Sequence, residues 1–248
     1  MISLYSGTPG SGKSLHIAEK IYNRIKHGHA TICNFPVKVN YKKFKAKRFY
    51  NAFTYVDNSE LTVAFLVNYS KQYFKGRTPK EGQILLVIDE AGILFNSRDY
   101  SHKDRSDWCK FFSQHRKLGY DVVLIAQFDR MLDRQVRAQI EYEIIHRKVS
   151  NFGIPGIIMS VLFVGKLFVA VKLWYPMGRE KVGSEFFSAH KKYYNIYDTF
   201  ATFESSEDFK KDGVIERDYP TLEEFFRHRL EHGVLCGAPA NVGAGDTT

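Results

Sequence analysis

The chain has 248 residues, 44% of them apolar, enough to bury a sizeable core and to exclude a disordered polypeptide. Its three cysteines, Cys33, Cys109 and Cys236, are far apart, odd in number and without metal-ligand spacing, which argues against a disulfide framework and fits reduced thiols. The net charge of +9 is uneven: up to Lys80 there are 14 Lys or Arg against only Glu19, Asp57 and Glu60.

The first apolar run, ISLYS (2–6), predicts a strand, and because it starts at residue 2 no leader peptide is expected. GTPGSGKS (7–14) follows, with Gly7, Gly12, Lys13 and Ser14 spaced as G-x-x-x-x-G-K-[ST], the phosphate-cradling loop of nucleoside triphosphatases. Such a loop needs glycines so that successive N–H groups can turn inward on an anion, and it needs a helix N-terminus behind them. SLHIAEKIYNRI (14–25) supplies that helix, with apolar residues at 17, 18, 21, 22 and 25. The nucleotide-binding set is therefore Gly7, Thr8, Pro9, Gly10, Ser11, Gly12, Lys13, Ser14 and Leu15. Lys13 is expected at the β- and γ-phosphates of ATP and the Ser14 hydroxyl on Mg²⁺.

ATICNFP (30–36) and FTYV (53–56) predict strands. Between them KVNYKKFKAKRFYNAF (38–53) interleaves cations with Tyr and Phe, a pattern suited to single-stranded DNA or to an anionic membrane surface. DNSELTVAFLVNYSKQYF (57–74) predicts a capped helix, and KGRTPKEGQ (75–83) a polar turn. ILLVIDEAG (84–92) is an apolar run ending in two acids. With a phosphate loop upstream, Asp89 is expected beside the metal, together with Ser14, and Glu90 is placed to polarise an attacking water.

KDRSDWCKFFSQHRKLG (103–119) predicts a helix with Trp108, Phe111, Phe112 and His115 along one side, closed by Gly119. YDVVLIAQ (120–127) predicts a buried strand whose terminal Gln127 is positioned to sense the γ-phosphate. In the arginine-rich stretch 127–148, Arg130, Arg134 and Arg137 are candidates for a finger contributed to a neighbouring subunit's site. His115 and Arg116 are a further candidate for coupling the site to an interface.

FGIPGIIMSVLFVGKLFVAVKLWYP (152–176) is just long enough to span a membrane. Its β-branched content, mid-run Lys166 and central glycine favour two strands joined near Gly165. After Phe203 the composition turns charged, with one short helix expected over 220–233 and disorder over 238–248. The expected fold is α/β, a P-loop NTPase with a mostly parallel sheet covered by helices and extended by antiparallel strands after residue 140. Residues 1–203 would form the ATPase domain and 204–248 a tail.

GTPGSGKS, ILLVIDEAG, FFSQHRKLGYDVVLIAQFDRMLDRQVRAQIE and YNIYDTF (194–200) together resemble the Zot family, which includes the assembly ATPase of filamentous phages. The resemblance covers about residues 1 to 200, and the HR-x-x-G-x-D stretch (115–121) is its most specific part. It implies a ring-forming ATPase at the cytoplasmic face of the host inner membrane. That enzyme would drive virion extrusion with export-channel or coat proteins and single-stranded DNA. By the same resemblance Gly7, Gly12, Lys13 and Ser14 bind nucleotide, and Asp89 and Glu90 hydrolyse it. The family's longer members continue through a membrane span, whereas this chain ends in a polar tail. Either a partner then holds it at the membrane or residues 154–171 insert. Two further readings remain open from residues alone: a DNA-translocating ATPase without membrane association, and a non-enzymatic effector at a host surface.

Overall fold

The computed structural model describes residues 1–35, 37, 52–96, 102–162, 167–190 and 193. The basic interleaved stretch from 38 to 51, the segment 194–200 and the tail from 204 onward lie outside the described residues.

Eight strands form one sheet: β1 (Ile2–Ser6), β2 (Ala30–Cys33), β3 (Phe53–Tyr55), β4 (Ile84–Ile88), β5 (Tyr120–Ile125), β6 (Tyr142–Lys148), β7 (Leu167–Trp174) and β8 (Glu180–Ser188). Their order is β3-β2-β4-β5-β1-β6-β7-β8. The strands from β3 to β6 in that order all pair in parallel. β7 and β8 then continue the sheet antiparallel, as expected for the region after residue 140. The strands β1, β2 and β4 are buried along their whole length, so β4 reads as an unbroken apolar run, and the polar residues of the other two, Ser3, Ser6 and Thr31, are buried as well.

Helices cover both faces. On one, α1 (Lys13–Lys26) buries Leu15, Ile17, Ala18, Ile21 and Ile25 against Tyr5, Val87, Val123 and Ile125. On the other lie α2 (Val63–Tyr73), α3 (Ala91–Leu94), α4 (His102–Gln114) and α5 (Arg134–Arg137), over Leu4, Leu86, Ile88 and Leu124. Phe95, Trp108, Phe111 and Phe112 form an aromatic knot in this layer, with ring centroids of Trp108 and Phe95 5.0 Å apart. Each such ring contributes about 1.5–3 kcal/mol by leaving water. Helix α2 starts later than its sequence suggested, because Asp57 accepts hydrogen bonds from the Ser59 N–H and hydroxyl in a turn, and Thr62 then caps the helix.

The stretch 152–176 differs from the expected pair of strands. Gly153–Leu162 is a helix, α6, and only Leu167–Trp174 is a strand. The hairpin lies one element later, between β7 and β8, turning through Tyr175–Arg179. No helix among the described residues is long and apolar enough to cross a membrane. Cys33 and Cys109 are free.

Candidate active site

Parallel pairing brings the C-terminal ends of β1, β4 and β5 to one edge of the sheet, with β5 between the other two. The loop after β1, the acids after β4 and the glutamine after β5 therefore converge. They line one cavity of about 420 Å³, which includes Pro9, Gly10, Lys13, Ser14, Asp89, Glu90 and Gln127.

The loop of residues 7–12 is held in its bent shape by bonds of its own. Gly7 N–H donates to the Gln127 carbonyl at 3.1 Å, and Ser11 N–H to the Thr8 carbonyl at 3.1 Å. Lys13 Nζ folds back on the Gly7 carbonyl at 2.5 Å and the Thr8 carbonyl at 3.1 Å. Two glycines are required by space as well as by backbone angle. A Cβ on Gly7 (φ +138°) would stand 2.5 Å from the His146 carbonyl, and one on Gly12 (φ +97°) would stand 2.7 Å from the Phe168 ring. Thr8, Pro9 and Gly10 form the exposed rim, while Ser11 is buried beneath it. Leu15 faces the core.

Behind the loop sits an aromatic and imidazole cluster. His16 Nδ1 and His146 Nε2 are 2.8 Å apart, one donating and the other accepting, and Tyr5 stacks on His16 at 5.1 Å. Burial lowers the His16 pKa to about 4, with Lys20 adding to the effect. Burial also holds His146 well below the usual histidine range, reinforced by His16. Both rings are neutral at physiological pH.

Asp89 is fixed at its backbone by Asn34, which spans from the end of β2. Asn34 Nδ2 donates to the Asp89 carbonyl at 2.9 Å, and Asp89 N–H donates to Asn34 Oδ1 at 2.7 Å. The carboxylate accepts the Glu90 N–H at 2.8 Å. Burial pushes the Asp89 carboxyl up to about 6, against the pull of that N–H and of Lys13. Lys13 is correspondingly lowered by burial, with Asp89 opposing. Glu90 sits at φ +48°, a left-handed conformation uncommon for a non-glycine residue, and its side chain is exposed. Asn34 was absent from the sequence-based set. Its only signal was an amide directly after an apolar strand parallel to the acid-bearing one.

The arginines do not join this cavity. Arg137 reaches Asp129 at 3.8 Å, and Arg130 and Arg134 do not line the cavity either. Asp129 is also bound by Tyr175 Oη and by Arg179, which in turn reaches the buried Glu143 at 3.3 Å. His115 and Arg116 lie at the opposite edge of the sheet. There His115 Nε2 is 3.0 Å from the Met1 amine, which pairs with Asp121 and Glu81, and Arg116 binds Glu141. The HR-x-x-G-x-D stretch does not line the cavity, and its side chains tie the N-terminus to Asp121 and Glu141.

A family model described as zonular occludens toxin (Zot) matches residues 1–203. The Gene 1 protein of Salmonella phage IKe is 26% identical over 235 residues, covering 92% of this chain and 63% of that protein. The chain therefore spans less than two thirds of that relative's length. Among solved structures, the N-terminal domain of zonular occludens toxin from Neisseria meningitidis gives a TM-score of 0.49 at 17% identity, over 79% of this chain and 98% of that one. The solved ATPase domain of a further protein gives 0.50 at 10% identity, over 79% and 84%, a likeness of fold.

Proposed function

The chain belongs to the Zot family, and on that premise we propose that it is an ATPase that powers assembly and extrusion of a filamentous phage. The observation that carries this reading is the single cavity where Lys13, Ser14, Asp89, Glu90 and Gln127 meet at the strand ends. Lys13 leaves the Gly7 and Thr8 carbonyls to neutralise the β- and γ-phosphates. Glu90 orients and deprotonates the attacking water, and Gln127 contacts the γ-phosphate. Asp89, clamped by Asn34, supplies the anionic oxygen on the metal side. Its raised affinity for a proton fits a carboxyl placed to receive a cation.

The donors fit Mg²⁺: Ser14 and Asp89 are hard oxygen ligands, and this ion takes its remaining ligands from phosphates and water. When bound, Mg²⁺ supplies charge neutralisation at the β- and γ-oxygens. We assign the arginine that stabilises transition-state charge to a neighbouring subunit in a ring, Arg137 being our choice. Relatives that are phage proteins support a role in virion assembly, with export-channel or coat proteins and single-stranded DNA as partners. We place this work at the cytoplasmic face of the host inner membrane. Residues 1–203 would act as the ATPase unit and 204–248 as a charged tail.

The test is ATP turnover by the purified chain with and without Mg²⁺ and single-stranded DNA, beside Glu90→Gln. Turnover that needs Mg²⁺ and disappears in the variant, while the variant still binds nucleotide, supports the reading. Undiminished turnover in Glu90→Gln would sink it. Stimulation by DNA would identify DNA as the cargo handled directly.

A further inference from the structure

Helix α6, GIPGIIMSVL, carries no charged residue, and it is not turned into the core. Ile154 is 74% exposed, Ile157 52% and Ile158 57%, and Phe152 just before the helix is 48% exposed. The isoleucines stand at i, i+3 and i+4, so they form one continuous apolar face. On its other side Gly156 packs on the carbonyl of Val149 in the turn just before the helix, where a Cβ would stand 2.2 Å from it, and the buried Val149 packs with Leu167 and Val169 of β7.

Between Glu143 and Glu180 the sequence holds no Asp or Glu. The acids that share a pocket with Phe152 and Arg147 are Asp129 and Glu143, and both are paired with Arg179, which leaves Arg147 and Lys148 as the cations next to the helix in the chain. Arg147 is exposed and Lys148 half-buried at the end of β6, immediately before the helix. A ten-residue helix is about 15 Å long, half of the roughly 30 Å that a bilayer core requires. It is too short to cross, and the right length to lie flat.

We propose that α6 docks this protein on an anionic bilayer, with Phe152, Ile154, Ile157 and Ile158 in the acyl–headgroup boundary and Arg147 and Lys148 against the lipid phosphates. A lipid surface suits this face better than a protein partner does. The face is purely aliphatic apart from one ring, offers no hydrogen-bonding side chain among the residues named, and follows directly on the two cations Arg147 and Lys148. The proposal deepens the reading above, resting on its membrane-side location, and gives the chain a means of contact without a spanning helix.

The experiment is flotation of the full chain with vesicles of phosphatidylcholine alone or mixed with phosphatidylglycerol, without nucleotide, at low and high salt. The expected result is flotation with the anionic vesicles, weakened by salt, and little with phosphatidylcholine. Ile154→Glu combined with Ile157→Glu should lower the partition at least about tenfold, since two exposed isoleucines no longer leave water. Arg147→Gln combined with Lys148→Gln should weaken binding while leaving the isoleucine face intact. Melting curves and ATP turnover in vesicle-free buffer, measured on the same preparations, establish that each variant is folded. Equal flotation of the isoleucine variant, no flotation of the parent chain, or loss of self-association in place of loss of flotation would overturn the proposal. Failure of the ATPase reading would show instead as absent turnover with flotation intact.

Discussion

Asn34 and Asp89 are joined by two hydrogen bonds running in opposite senses, from the Asn34 amide to the Asp89 carbonyl and from the Asp89 N–H to the Asn34 side-chain oxygen. One side chain from the end of β2 thus replaces a rung of sheet pairing just where β4 ends, and it sets the direction in which the Asp89 carboxylate leaves the strand.

Asn34→Ala should cost about 1–3 kcal/mol of stability, because both backbone groups lose a partner in a partly buried place. Turnover should fall by more than affinity for an ATP analogue does, since the phosphate loop itself is untouched. Denaturant melts beside kcat and Kd check this. Unchanged kcat in the variant would remove Asn34 from the site.

Glu90 occupies a left-handed backbone conformation at φ +48°, which costs a non-glycine residue about 1 kcal/mol. Glu90→Gly should therefore raise the stability of the chain by a similar amount while reducing ATP turnover at least about a hundredfold. Gain of stability with loss of activity is the outcome to look for in paired melting and turnover measurements.

The glycines of the phosphate loop should not be equivalent. Gly12→Ala drives a methyl into the Phe168 ring, and Gly7→Ala into the His146 carbonyl, so both should lose nucleotide binding and several kcal/mol of stability. Gly10→Ala meets nothing within 4 Å and carries only the penalty of φ +73°, about 1 kcal/mol. Equilibrium binding of a fluorescent ATP analogue ranks the three.

Stability should fall in mild acid because of His16 and His146. Each takes its proton near pH 6.5 when unfolded, and burial delays that proton in the folded chain, to about pH 4 for His16. Between those values the unfolded state holds more protons, so stability drops as the pH is lowered, by about 1.4 kcal/mol per unit for each histidine. In His16→Phe the slope between pH 6.5 and 4 should be smaller than in the parent by about 1.4 kcal/mol per unit, against a background in which Asp89, raised to about 6, contributes the opposite sign. An unchanged slope would show that the acid sensitivity lies elsewhere.

Arg179 bridges Asp129 and the buried Glu143. Its removal in Arg179→Ala should destabilise the chain by about 1–2 kcal/mol, because the buried Glu143 side chain loses its partner while Arg179 itself is partly in water. Combining it with Glu143→Gln should recover part of that loss, which a double-mutant cycle measures.

Much of the site was legible because its chemistry is local in the chain. The phosphate loop, the Asp89–Glu90 pair and Gln127 each follow an apolar strand directly, and parallel pairing alone brings three such ends together. Asn34 was missed because its role depends on which strand lies beside β4, and nothing in ATICNFP reports the neighbour. The reading of 153–162 as a strand failed for a different reason. A helix whose outer face is as apolar as its inner face shows no 3.6-residue alternation, so β-branched content decided wrongly. The arginine cluster could not be ranked from sequence, because the partner that Arg137 meets in its own chain, Asp129, lies on the far side of a turn.

The rings of Phe168 on β7 and Phe187 on β8 are stacked 5.5 Å apart, and the first of them fills the space that a side chain at residue 12 would take. Gly12, at the base of the phosphate loop, is therefore packed directly on the antiparallel end of the sheet. A displacement of β7 relative to β1 would be felt at residues 7–14, because the ring and the glycine share one space.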